Sequence, residues 1–96
     1  MQIRRVNPRF ECSKKGTVDW NGVSYPGTVT NLSFAGGDMH LCTRIDGEFP
    51  GVGVDDECGL RLLEENNPYP FRYIAKVIRV AAPEMVLSIL GMHRHF

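Results

Sequence analysis

Three arginines crowd the first nine residues: Arg4, Arg5 and Arg9, the last two four positions apart. A guanidinium is a rigid fork of N–H donors. It can grip a phosphate with two parallel hydrogen bonds, pair with the O6/N7 edge of guanine, or stack on a base. Pro8 lacks an N–H and drives Asn7 away from the helical region, so Arg5-Val6-Asn7-Pro8-Arg9 reads as an extended arm leading into a first strand. The plain alternative is a solvated basic N-terminus.

A second polar cluster follows at Asn31-Leu32-Ser33-Phe34-Ala35-Gly36-Gly37. Asn and Ser side chains bond their own backbone and shape tight turns. Gly36 and Gly37 permit positive φ and a close approach of backbone to a ligand. The segment reads as a polar, glycine-rich turn that ends a strand, and alone it would pass for an ordinary turn.

The elements that must hold these clusters have a period of two. From Phe10 to Trp20 the even positions are Phe10, Cys12, Lys14, Gly16, Val18 and Trp20, and apart from Lys14 they form an apolar face. Asn21-Gly22 then gives the strongest short hairpin signal, and Val23, Tyr25, Gly27 and Val29 continue the alternation. A two-residue turn pairs positions whose numbers sum to 43, so Val18 faces Tyr25 and the apolar faces coincide. The same register sets Asn31 opposite Cys12 and Ser33 opposite Phe10, next to Arg9. Pro26-Gly27 suggests a bulge or an edge, and a bulge would slip the far end by one residue. Either way the basic arm and the polar turn meet at one end of the sheet. Cationic forks, small polar groups and open backbone together suit an anionic ligand with hydrogen-bonding bases.

Further strands are expected at 37–41, 57–63, 71–80 and 85–90, punctuated by Asp46-Gly47, Phe49-Pro50-Gly51, Asn66-Asn67-Pro68 and Ala82-Pro83. In 71–80 neither face is cleanly polar, and the strand cannot be oriented. No stretch makes a convincing helix. Closely spaced strands in a chain of 96 residues read as one small all-β domain, a barrel or a sandwich.

Hydrophobic residues are 43% and charged residues 23%, which fits a globular chain and not a disordered one. The formal net charge is zero, which argues against coating nucleic acid by bulk charge. The zero hides a division. Residues 1–15 hold five basic residues against one acid, a net of +4, while residues 44–65 hold two against seven, a net of −5. A small anion is therefore drawn to the N-terminus. Arg4 and Arg5 run into Val6-Asn7-Pro8-Arg9 and not into an apolar stretch, so no signal peptide is expected. The longest apolar stretch, Met85 to Met92, is too short to span a bilayer. Cys12, Cys42 and Cys58, an odd count, read as reduced thiols of a cytoplasmic protein.

Taken together, Arg5-x-x-x-Arg9 and Asn31-x-Ser33-x-x-Gly36 resemble the signature of the PilZ domain family, RxxxR followed by [D/N]xSxxG. The likeness covers nearly the whole chain, as Val52–Leu62 and Ala75–Val80 look like the family's middle strands. Each half-motif is weak alone; both in order, in a β context, are fairly specific. The resemblance implies a six-stranded antiparallel barrel over 10–96, with little or no helix, and a flexible basic arm over 1–9. It implies a non-enzymatic receptor for cyclic di-GMP, a bacterial second messenger, with no cofactor. By that resemblance Arg5 and Arg9 grip phosphates and guanine edges, Asn31 and Ser33 bond the other guanine, and Gly36, with Gly37 beside it, leaves room for the base. Arg4, just before the motif, looks like the arrangement that holds two stacked ligand molecules. The expected partners are cyclic di-GMP and a separate protein effector in motility, biofilm or exopolysaccharide control, with no membrane and no nucleic acid.

Four rival readings carry less. His40-x-Cys42 and His93-x-His95 invite zinc, but neither is a paired CxxC knuckle. Cys42 near His40 could suggest a nucleophile and base, but no third orienting group frames them. Small barrels also bind single-stranded nucleic acid through basic grooves, and here the rest of the chain is acidic. A PilZ-like adaptor that has lost nucleotide would not need both motifs intact.

Overall fold

The computed structural model describes residues 9–63 and 71–94. Six strands follow in order: β1 (Arg9–Trp20), β2 (Val23–Ala35), β3 (Asp38–Ile45), β4 (Glu57–Leu62), β5 (Phe71–Ala81) and β6 (Glu84–Arg94). They close into an antiparallel barrel in the order β1-β2-β3-β6-β5-β4, and no helix occurs among the described residues. The all-β, six-stranded architecture expected from the strand pattern is therefore present.

Asn21 and Gly22 both take positive φ, 53° and 78°, as a two-residue hairpin turn requires. The sum-43 register holds from Trp20↔Val23 to Lys14↔Val29. Pro26 does not break it, contrary to the bulge expected there. Pairs in such a hairpin alternate from a hydrogen-bonded Trp20↔Val23, so Thr17↔Pro26 is a non-bonded pair and the proline nitrogen points away from β1. The bulge lies instead in β1, where Cys12 and Ser13 face the single Thr30, and beyond it the register becomes Glu11↔Asn31 and Arg9↔Ser33.

Two strands run well past their expected ends. β3 reaches Ile45, since Leu41, Thr43 and Ile45 all turn inward and are buried. β6 continues to Arg94. The polar segment at 31–37 is likewise no wide turn. β2 extends to Ala35, and only Gly36 and Gly37 turn, at φ 60° and 85°. Both glycines are fixed by backbone conformation, since L side chains rarely tolerate those angles.

The barrel interior is filled by Val18, Val29, Leu41, Leu60, Val77, Met85 and Leu87, with Ala75 and Cys58 between the larger side chains. Phe10, expected on the buried face, is 55% exposed because it sits beyond the bulge at the open barrel end, opposite Leu32. In β5, Ala75 and Val77 point inward with Tyr73 packed against the core. The irregularity between Val77 and Arg79, where Ile78 is the extra residue, shifts the alternation within this strand. That is why this strand shows no clean face in sequence.

β1 and β4 close the barrel through four pairs, Gly16↔Leu62 to Asp19↔Gly59. A side chain at Gly16 would put its Cβ 2.5 Å from the Arg61 carbonyl oxygen, so the strands meet there only because Gly16 has none. On the outer face of the seam Arg61 forks onto Asp19, Nε to Oδ2 at 2.9 Å and Nη2 to Oδ1 at 3.0 Å. Ser24 Oγ donates to Asp19 Oδ1 at 2.6 Å, which draws β2 into the same clamp.

Two outcomes follow from this packing. Burial pushes the Asp19 carboxyl up, but the Arg61 and Ser24 hydrogen bonds and the charges of Arg61 and Arg72 outweigh it, so its pKa lies below the ordinary value. A group depressed in this way contributes stability above its unfolded pKa, ~3.9. The contribution is lost as pH falls through the folded value. Asp19→Asn is expected to lower neutral-pH stability by ~1–3 kcal/mol and to flatten the acid limb of a urea-denaturation series. Thr43 Oγ1 is buried with no hydrogen-bond partner among the described residues. Thr43→Val, which removes that hydroxyl without changing shape, is expected to stabilise by ~1 kcal/mol, read as a Tm rise of about 4–8 °C.

Candidate functional site

The β1 bulge decides which residues meet on the barrel's outer face. With the one-residue slip, Arg9 lies directly opposite Ser33, and Asn31 lies between Glu11 on one side and Cys42 on the other. A row then runs across four strands from Asn31 through Cys42 and Val86 to Arg79. The next row holds Arg9, Ser33, His40, Ser88 and Lys76.

Over these rows lies an open pocket of about 220 Å³. Arg9, Asn31 and Ser33 form one wall. Arg79, Ala81 and Glu84, from the β5–β6 hairpin, form the other, and Cys42, Met85 and Val86 lie between. The charged groups on its lining are two arginines and one glutamate. A small, mostly neutral surface flanked by cationic forks can take a planar base and hold an attached phosphate.

The sequence-derived site residues divide three ways. Arg9, Asn31 and Ser33 come together at this pocket. Gly36 and Gly37 lie in the β2–β3 turn beyond it and do not line it; the space around both is open. Arg4 and Arg5 lie outside the described residues. The zinc rival places His40 and Cys42 on the same outer face, but among the described residues no three His, Cys, Asp or Glu side chains are close enough to hold a metal ion.

Arg79, Glu84 and Val86 were not reached from sequence, and Cys42 was weighed there only as a zinc ligand or nucleophile. A usable signal existed for the first three. Treating Ala82-Pro83 as a two-residue turn pairs Ala81 with Glu84 and Arg79 with Val86, as the structure does. What the sequence could not supply is the pairing of β3 with β6, which sets this hairpin beside Asn31.

A second hollow, of about 290 Å³, lies by the seam around Asp19, Trp20, Glu57, Gly59 and Arg72. A Cβ at Gly59 would strike Arg72 Nε at 2.5 Å, so this glycine lets the guanidinium lie across it toward Asp19, 3.9 Å away. The hollow is part of the closing clamp and holds none of the motif residues.

No protein-family model and no curated protein matches the chain. The likeness to PilZ domains rests on the motif residues themselves. No helix among the described residues is long and apolar enough to cross a membrane.

The cysteines provide a chemical check on this geometry. Burial, then the charges of Asp19, Glu57 and Asp56, push the Cys58 thiol up to about 11. Cys42 is half-buried at the pocket. With limiting iodoacetamide near neutral pH, peptide mass spectrometry is expected to find Cys42 modified well before Cys58, because the thiolate is the nucleophile. Equal labelling of the two would contradict the placement of Cys58.

Proposed function

We propose that the chain is a receptor for cyclic di-GMP of the PilZ kind, binding the nucleotide on the outer face of its barrel. One observation carries the reading: Arg9, Asn31 and Ser33, from two separated half-motifs, line a single pocket, with Arg9 directly across from Ser33. In this reading Arg9 holds a phosphate or a guanine edge by forked hydrogen bonds, and Arg5 joins it from the preceding arm. Asn31 offers both a donor and an acceptor to a base, and Ser33 adds a hydroxyl that can serve as either. The receptor has no catalytic role of its own. It acts in the bacterial cytoplasm and passes the signal to a separate protein partner.

Calorimetric titration with cyclic di-GMP tests this directly. Losing one charged hydrogen-bonding partner costs ~1.5–3 kcal/mol, about ten- to a hundredfold in affinity. Arg5→Ala and Arg9→Ala are each expected to weaken binding by that factor. Asn31→Ala and Ser33→Ala should lose less, as neutral partners do. Affinity should fall as salt rises, since part of the attraction is charge. A parent protein that does not bind, or arginine variants that bind like the parent, would sink the assignment and leave the nucleotide-free adaptor.

A further inference from the structure

The far wall of the pocket carries a group that an anion site has no obvious use for. Glu84 opens β6 and lines the pocket alongside Arg79, facing Arg9, Asn31 and Ser33. A carboxylate repels phosphates, so in a site that only held an anion it would work against the two arginines. Glu84 is exposed, and its oxygens are open to a ligand. Arg44, its cross-strand neighbour on β3, turns to Asp46 at 3.7 Å. No described cation forms an ion pair with Glu84, and no described carboxylate forms one with Arg79.

An ionised carboxylate only accepts hydrogen bonds, and its two oxygens accept side by side. The matching ligand edge has two adjacent N–H donors in one plane. Guanine has that edge at N1–H and the N2 amino group. Adenine offers an N1 acceptor in the same place, which a carboxylate repels. We propose that Glu84 reads the donor edge of guanine and makes this pocket select guanine over adenine. The proposal rests on the reading of the pocket as a cyclic di-GMP site, and it adds a base-selecting residue on β6 that lies outside both half-motifs. The division of labour is physical. Arg9 and Arg79 attract the phosphates of any cyclic dinucleotide, whereas Glu84 distinguishes the bases, because specificity needs an element that rejects the wrong ligand as well as one that holds the right one.

The test compares cyclic di-GMP with cyclic di-AMP by calorimetry, using the parent, Glu84→Ala, Glu84→Gln, Arg79→Ala and Arg9→Ala. The parent is expected to prefer cyclic di-GMP. Glu84→Ala should weaken cyclic di-GMP about ten- to a hundredfold, the worth of one bidentate base contact, and leave cyclic di-AMP unchanged or tighter. Glu84→Gln keeps the shape, so it guards against a variant that fails to fold. Its amide puts a donor against one guanine donor, and it should also narrow the preference. Arg79→Ala should weaken both ligands alike and reduce the salt dependence. If the parent binds cyclic di-GMP and Arg9→Ala weakens it, yet both Glu84 variants keep the parent's preference, the role of Glu84 is overturned while the receptor reading stands. If the parent binds neither ligand, both fall together.

Discussion

Six strands close into a barrel only if the sheet bends sharply, and every distinctive feature of this molecule answers to that demand. The last joint, β1 with β4, has just four residue pairs. Gly16 allows the backbones to meet, and the Asp19–Arg61 fork with Ser24 clamps three strands from outside. The remaining curvature comes from irregularities at 12–13 in β1, at Thr30 in β2, at Ile78 in β5 and at Leu90 in β6. Each inserts one extra residue, bends its strand and increases the twist.

Those same bends assemble the pocket. Without the β1 bulge, the sum-43 register would set Phe10 against Ser33 and leave Arg9 against Phe34. With it, Arg9 stands across from Ser33 on the outer face. The slip at Ile78 acts in the same way on the opposite wall. It returns Arg79 to the outer face, in line with Val86, Cys42 and Asn31. One requirement, closure, thus fixes both the shape of the barrel and the partners of its polar residues. Bulges commonly sit next to functional sites because they re-aim side chains in this manner.

This also explains what could be read from the sequence. The hairpin around Asn21-Gly22 was legible because its turn chemistry is local and its faces agree. The meeting of Arg9 with Asn31 and Ser33 was legible too, since a one-residue slip does not carry a residue out of reach. The place of the slip was not. Pro26 and Gly27 advertise a bulge, but the alternation of the ladder leaves the proline nitrogen outside the β1–β2 bonds, and Cys12-Ser13 carries no such mark. The faces of β5 were hidden because the extra residue Ile78 breaks a period of two within an eleven-residue strand. The wall of Arg79 and Glu84 was hidden by topology. β3 pairs with β6 across forty-odd residues of chain, and nothing local encodes that contact.

The placement of the pocket outside the barrel follows from size. A six-stranded interior is narrow, and Val18, Leu60, Val77, Met85 and Leu87 fill it, all at 1% exposure or less. Nothing as large as a nucleotide can enter, so any ligand must lie across the strands. Asn31 and Ser33 sit within β2 and not in a turn, and Arg79 and Glu84 lie at the facing ends of the paired strands β5 and β6. Residues held by ladder bonds on both sides are fixed more tightly than residues on a loop. Gly36 and Gly37 also have a task in the backbone itself. Their positive φ turns β2 into β3 within two residues, and that tight turn sets Asn31 beside Cys42 and Ser33 beside His40. The glycines serve the pocket by fixing the register of the strands that line it.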